Sequence, residues 1–218
     1  VVLTNWYKSI LQANLSESNK ICVIPQTLPQ LDDTHLSKSV RTSNSIKLMF
    51  IGRISQFKGV HLIIKALQGF PEDKIQLSIF GQETEEDYSF YCRSLSEGMS
   101  NVIWGGRIEP SEVIEQMQKH DALCLPSTVN EMSPLVIQEA FAAGIPVIAS
   151  DVYGNAEQVI HNINGLLFKI NDALSLRSEL ANLINDPEKL NHLACNIRKP
   201  DNFNKTGKSY LELYKSLL

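Results

Sequence analysis

PSTVNEMSPLVIQEAFAAGIPVIASDVYG, residues 126–154, runs from the end of one strand through a loop and a helix into a second strand, and presents two glutamates, Glu131 and Glu139, eight positions apart. Ser133 suits an N-cap, Pro134 fits the first helical position because its missing N–H is not needed there, and Gly144 stands where a left-handed residue ends a helix. This predicts a short helix over 134–143. Leu135, Val136, Ile137, Ala140, Phe141, Ala142 and Ala143 make it apolar nearly all round, as in a helix packed between layers. Glu139 is the anomaly. An ionised carboxylate is expensive to bury alone, so it must find donors, take a proton or face a cleft. Side chains lean toward a helix N-terminus, so its carboxylate is expected near the loop bearing Glu131. The same helix start offers free N–H groups and partial positive charge, which suit phosphate. The plainer alternative pairs Glu139 with a neighbouring Arg or Lys and leaves Glu131 a solvated loop acid.

Working outward, short apolar runs alternate with helical patterns. Strands are predicted at 47–51, 75–80, 101–104, 121–125, 146–149 and 165–168, with helices near 58–68, 85–97, 111–119, 134–143 and 155–161. Apolar strands separated by helices indicate a parallel sheet covered on both faces. The expected fold class is therefore α/β, a doubly wound six-stranded parallel sheet of Rossmann type. Further helices follow near 172–185, 187–197 and 204–217. Residues 1–3 and 21–24 read as strands around a helix at 5–15. Residues 26–45, polar and aperiodic with two prolines, read as a linker. The implied division is 1–25 as a remnant of another domain, 26–45 as linker, 46–200 as the main domain and 201–218 as a terminal helix. Opening inside a strand without a Met, the chain reads as cut from a longer protein.

The bulk properties narrow the class. With 218 residues, 43% hydrophobic, and a formal charge of −4, the chain has core enough for one large domain. Mild acidity argues against nucleic acid as the main partner. No apolar run reaches membrane-spanning length and no signal peptide opens the chain, so a cytoplasmic location is expected, with peripheral membrane contact left open. Cys22, Cys92, Cys124 and Cys195 are scattered without a C-x-x-C, and the histidines show no metal-ligand spacing. No metal or other cofactor is indicated.

In the common strand order 3-2-1-4-5-6, ligands enter the crevice between the carboxyl ends of the first and fourth strands. The first ends in FIGRISQFKGVH, residues 50–61, and the fourth at Pro126. There Gly52 lets the chain turn off the strand, and Arg53 and Lys58 are placed to reach the crevice; a guanidinium fork with a point ammonium suits a diphosphate. Surface positions on a loop are the alternative. A carboxylate such as Glu139 accepts both hydroxyls of a ribose, and Glu131, nearer the phosphates, is placed for sugar hydroxyls. Asp151 and Gly154, in SDVYGN, are read as turn residues in preference to ligand contacts. No G-x-G-x-x-G follows the first strand, which disfavours NAD and FAD. Thr206-Gly207-Lys208-Ser209 imitates the end of a P-loop, but Asn202 stands where its first glycine belongs and no strand precedes it. Asp32-Asp33 lies in the linker, and no G-x-S-x-G elbow occurs.

GRISQFKG, the Glu131 and Glu139 pair, EAFAAGIPVIASDVYGNAEQVI and the following NGLLF resemble the C-terminal half of retaining GT-B glycosyltransferases of the group-one, glycogen-synthase-like class. The resemblance covers roughly 46–170, and residues 1–25 resemble the closing strand, helix and strand of that class's N-terminal acceptor domain. Gln26 departs from the commoner I-P-N-G, and Glu131-Met132-Ser133 from the usual Glu-Gly-Phe. The resemblance implies a nucleotide-diphospho-sugar donor bound without a metal, with Gly52, Arg53 and Lys58 at the diphosphate and Glu139 at the ribose. Glu131, with the amides of Met132, Ser133, Pro134 and Leu135 as a group, would hold the sugar and distal phosphate, and the backbone of Arg107 and Ile108 would meet the base. Arg53, Lys58 and Glu131 would be catalytic. It further implies hexosyl transfer with retention to a saccharide or lipid-linked acceptor, in polysaccharide or glycolipid assembly, and a fragment inactive without its acceptor domain. A nucleotide-sugar 2-epimerase and a non-catalytic nucleotide-binding module are the competing readings.

Overall fold

The computed structural model describes residues 1–15, 20–28 and 45–217. Most of the expected linker, with Asp32-Asp33, lies outside them. Strands β1 (Ile46–Ile51), β2 (Ile75–Phe80), β3 (Val102–Gly106), β4 (Ala122–Leu125), β5 (Val147–Ser150) and β6 (Gly165–Phe168) form one sheet in the order β3-β2-β1-β4-β5-β6. Every pairing is parallel, with Leu48 opposite both Leu77 and Ala122. This is the expected doubly wound sheet, and the order reverses between β1 and β4.

Strand alternation divides the core in two. Leu48, Phe50, Ala122 and Cys124 join Ile63, Ile64, Leu176 and Leu180 on one face, beneath α2 (Val60–Leu67) and α7 (Ala173–Asn185). Met49, Leu123 and Leu125 join Met117, Ile137 and Phe141 on the other, beneath α4 (Val113–Gln118) and α5 (Leu135–Ala142). Each fully buried large aliphatic or aromatic side chain contributes about 1.5–3 kcal/mol of transfer free energy. The crevice is thus framed by strands locked on both faces.

Several helices are shorter than their sequence pattern suggests. α3 spans Glu86–Leu95, and the segment before α4 begins as a 3-10 turn, Pro110–Glu112. α6 covers only Tyr153–Ala156, where 155–161 was expected. The chain beyond it is captured by β6: Ile160 N–H donates to Asn164 Oδ1 at 2.7 Å and His161 bridges to Gly165. The apolar runs at 1–3 and 21–24 make only an isolated parallel bridge, Val2 with Val23. α1 (Asn5–Asn14), capped by Thr4, and α9 (Phe203–Ser216), capped by Asn202, bury no residue, whereas α7 and α8 (Glu188–Cys195) bury leucines against the sheet. No helix among the described residues is long and apolar enough to cross a membrane.

Candidate functional site

The crevice at the carboxyl ends of β1 and β4 is built from two loops pressed together. After Gly52, whose N–H bonds to the Phe80 carbonyl at 3.1 Å, the chain passes Arg53 and enters a 3-10 turn, Gln56–Lys58. That turn is held from two directions. Glu85 accepts the Gln56 N–H at 2.9 Å; Thr128, from the loop after β4, donates its hydroxyl to the Gln56 carbonyl at 3.0 Å and its N–H to the Phe57 carbonyl at 2.9 Å. The two loops approach so closely at Gly59 that a Cβ there would lie 2.0 Å from the Pro126 carbonyl oxygen, and φ is +69°. Only glycine meets both demands.

The turn delivers Lys58 to Glu131. Lys58 Nζ lies 2.5 Å from Glu131 Oε1, with side-chain exposures of 22% and 17%. The same oxygen accepts the hydroxyl of Ser127 at 2.7 Å. Ser127 is fully buried and its carbonyl receives the Ser150 hydroxyl at 2.8 Å, which ties the acid's support to β5. Glu131 is therefore an anchored, ion-paired carboxylate rather than a solvated loop acid. Arg53 is exposed and makes no hydrogen bond or ion pair among the described residues. Lys58 is thus committed to an acid, whereas Arg53 has no side-chain partner among the described residues.

α5 starts one residue later than expected. Pro134, with ψ 120°, occupies the N-cap, and Ser133 makes no capping hydrogen bond. Its carbonyl instead accepts the side-chain amide of Gln26, and the first turn closes through Ile137 N–H to the Pro134 carbonyl at 3.2 Å. The N–H groups of Met132, Ser133, Leu135 and Val136 have no assigned acceptor among the described residues; Pro134 has none to offer. Gly144, at φ +74°, follows the last turn as expected.

No hydrogen bond joins Glu139 to Glu131. The Glu139 carboxyl makes no hydrogen bond or ion pair among the described residues, and burial pushes it above the ordinary glutamate range. Among the described residues no cation pairs with Glu139, the alternative that was open on sequence grounds. Arg107 and Ile108 follow β3, the edge strand beyond β2, the first exposed and the second half-buried, and the Gly106 carbonyl accepts the Gly81 N–H at 2.8 Å.

Gly154, a turn residue on sequence grounds, also braces the loop that carries Glu131. It lies within α6, its N–H donates to the Glu131 carbonyl at 3.0 Å, and a Cβ there would come within 2.1 Å of that same oxygen. Sequence reasoning also passed over Ser127 and Gln26. A small polar residue leaving a buried strand is the signal for the first, but nothing local announces a contact between residues 107 positions apart. Among the described residues no cluster of three or more His, Cys, Asp or Glu side chains is arranged to hold a metal.

Comparison with known proteins places this architecture. A family profile described as "Glycosyl transferases group 1" matches residues 32–200. The chain is 29% identical over 161 residues to the "Putative glycosyltransferase YtcC" of Bacillus subtilis (strain 168), covering 70% of this chain and 40% of that protein. It is 28% identical over 143 residues to a glycogen synthase of Mycobacterium tuberculosis (strain H37Rv), covering 65% of this chain and 34% of that one. The chain thus spans well under half the length of these curated relatives. The fold of sucrose-phosphate synthase from Thermosynechococcus elongatus superposes with a TM-score of 0.80 at 22% identity, over 99% of this chain and 57% of that chain. Anabaena Alr3699/HepE, solved in complex with UDP and glucose, superposes with a TM-score of 0.72 at 24% identity, over 79% and 49%. These two likenesses carry the fold, a Rossmann-like domain consistent with one half of a GT-B architecture. With the family profile spanning most of the sheet and the crevice at its switch point, the chain belongs to the group 1 glycosyltransferases.

Proposed function

We propose that this chain is the donor-binding half of a retaining glycosyltransferase that uses a nucleotide-diphospho-sugar. The observation that carries the proposal is Glu139, a half-buried carboxylate with no partner among the described residues, on the helix whose start offers unclaimed amides. A ribose presents two neighbouring hydroxyl donors, which such an acid needs. Arg53 and Lys58 would meet the diphosphate, and the amides of Met132, Ser133 and Leu135 its distal phosphate. Glu131 would receive sugar hydroxyls, and the backbone at Arg107 and Ile108 the base. When the glycosidic bond to phosphate breaks, negative charge develops on the leaving diphosphate, where Lys58, Arg53 and a helix N-terminus would stabilise it most. Arg53, Lys58 and Glu131 are the proposed catalytic residues, and no step in this scheme requires a metal.

The acceptor, saccharide or lipid-linked, would enter from an opposing domain, to which we assign residues 1–25, with α9 packing across to it. That α1 and α9 bury no residue supports this assignment. Hexosyl transfer in polysaccharide or glycolipid assembly is the activity this arrangement suits. A thermal-shift panel of UDP, GDP, ADP and their sugar conjugates tests the donor reading. A ligand at 100 times its dissociation constant adds about 2.7 kcal/mol of stability, so one base should raise the melting temperature by several degrees. A flat response across the panel would refute the reading.

A further inference from the structure

The loop that carries Glu131 is held by the N-terminal segment as well as by its own domain. Gln26 donates its side-chain amide to the Ser133 carbonyl. Glu157, just past α6, accepts the N–H groups of Asn5, at 2.9 Å, and Trp6 at the start of α1. Trp6 stacks on Tyr153 with ring centroids 4.6 Å apart and planes 5° from parallel. The turn gripped in this way is bonded to the acid's own carbonyl through Gly154 N–H, at 3.0 Å. Residues 131–133 therefore lie between two attachments, α6 on one side and Gln26 on the other.

The Gln26 contact falls where the loop has least support of its own. Pro134 has no N–H, so the peptide between Ser133 and Pro134 can be held only by its carbonyl, and Ser133 contributes no capping bond. Fixing that carbonyl fixes the plane of the peptide and restricts how the flanking N–H groups of Ser133 and Leu135 are directed. We propose that Gln26 is a positioning residue for the donor site, which holds the Ser133 carbonyl so that the N–H groups of Met132, Ser133 and Leu135 are presented to the distal phosphate of a nucleoside diphosphate. The proposal rests on the donor reading above, but the hold itself is measurable without any ligand.

Gln26→Met keeps the side chain's length and removes the donor; Gln26→Glu keeps its shape and replaces the donor with a second acceptor. In both, ¹⁵N order parameters at Met132, Ser133 and Leu135 should fall from the rigid range near about 0.85 toward about 0.6. Titration with UDP, GDP, ADP and their nucleosides should show the diphosphate that the wild type binds weakened roughly three- to tenfold, the span of one neutral hydrogen bond, with nucleoside affinity unchanged. Unchanged order parameters in both variants would overturn the proposal. So would equal losses for diphosphate and nucleoside, because that pattern marks general loosening. If the wild type binds none of the three diphosphates the donor reading fails, and the hold by Gln26 stands or falls on the order parameters alone.

Discussion

Glu139 is kept in the folded chain at odds with its own ionisation. Burial raises its carboxyl above the ordinary range, so the folded state binds that proton more tightly than the unfolded chain does. The resulting stability is fully present below the unfolded value, about pH 4.3, and is lost as pH rises through the higher folded value. Glu139→Gln should remove this declining limb from urea unfolding measured across that pH range and leave the unliganded protein more stable at neutral pH. The same variant should lose affinity for a ribonucleoside diphosphate far more than for its 2′,3′-dideoxy counterpart; equal losses would assign Glu139 a structural role only. Arg53 belongs to the same scale. It is exposed and has no side-chain partner among the described residues, so Arg53→Ala should leave the melting temperature nearly unchanged. It should weaken nucleoside diphosphate binding by about 1.5–3 kcal/mol, the range for hydrogen bonds to charged groups, with little effect on the nucleoside. Calorimetric titration of both ligands reads this directly.

The elements show which parts of the molecule were legible in its sequence. All six strands and their order could be expected, because strands covered on both faces are marked by continuous apolar runs, such as Ala122–Leu125, and right-handed crossovers leave few ways to connect them. The start of α5 was misplaced by one residue, because Ser133 has the composition of a cap while its carbonyl is engaged by distant Gln26. α6 was drawn too long for a similar reason: its helical pattern continues past Ala156, but pairing with β6 takes over. Lys58, Glu131 and Ser127 come together only through tertiary packing of two loops, of which the sequence shows the ingredients and not the contact. Gly154 exposes this level to a direct test. Gly154→Ala forces a Cβ into the Glu131 carbonyl, a backbone atom that cannot swing aside, so the loop must move. Overpacking of this kind destabilises by about 1–3 kcal/mol. Urea unfolding should show that loss, and diphosphate binding should weaken in parallel; a variant as stable as the parent would mean that the loop is freer than its contacts indicate.

At the scale of the whole molecule, the proposed function makes this chain one wall of a cleft. It spans 40% of the Bacillus relative and 34% of the mycobacterial one, and Arg53 beside its crevice loop is exposed. On that reading an opposing domain positions the acceptor, and positioning one reactant accounts for roughly 7–11 kcal/mol of barrier lowering in well-oriented systems. Water in an open site also screens the charges of Arg53 and Lys58. The chain alone should therefore bind donor and transfer sugar negligibly, while a longer protein carrying an acceptor domain ahead of it should turn over; comparable rates from matched donor would refute this division of labour. Its premise, that the crevice between β1 and β4 grips a diphosphate, is tested most directly by calorimetric titration of the chain with UDP, GDP, ADP and the three corresponding nucleosides. The account predicts one-to-one binding of at least one diphosphate, tighter than its nucleoside by about 1.5 kcal/mol or more, the lower end for a charged hydrogen bond. Equal affinity for diphosphate and nucleoside, or no binding of any diphosphate, would contradict it.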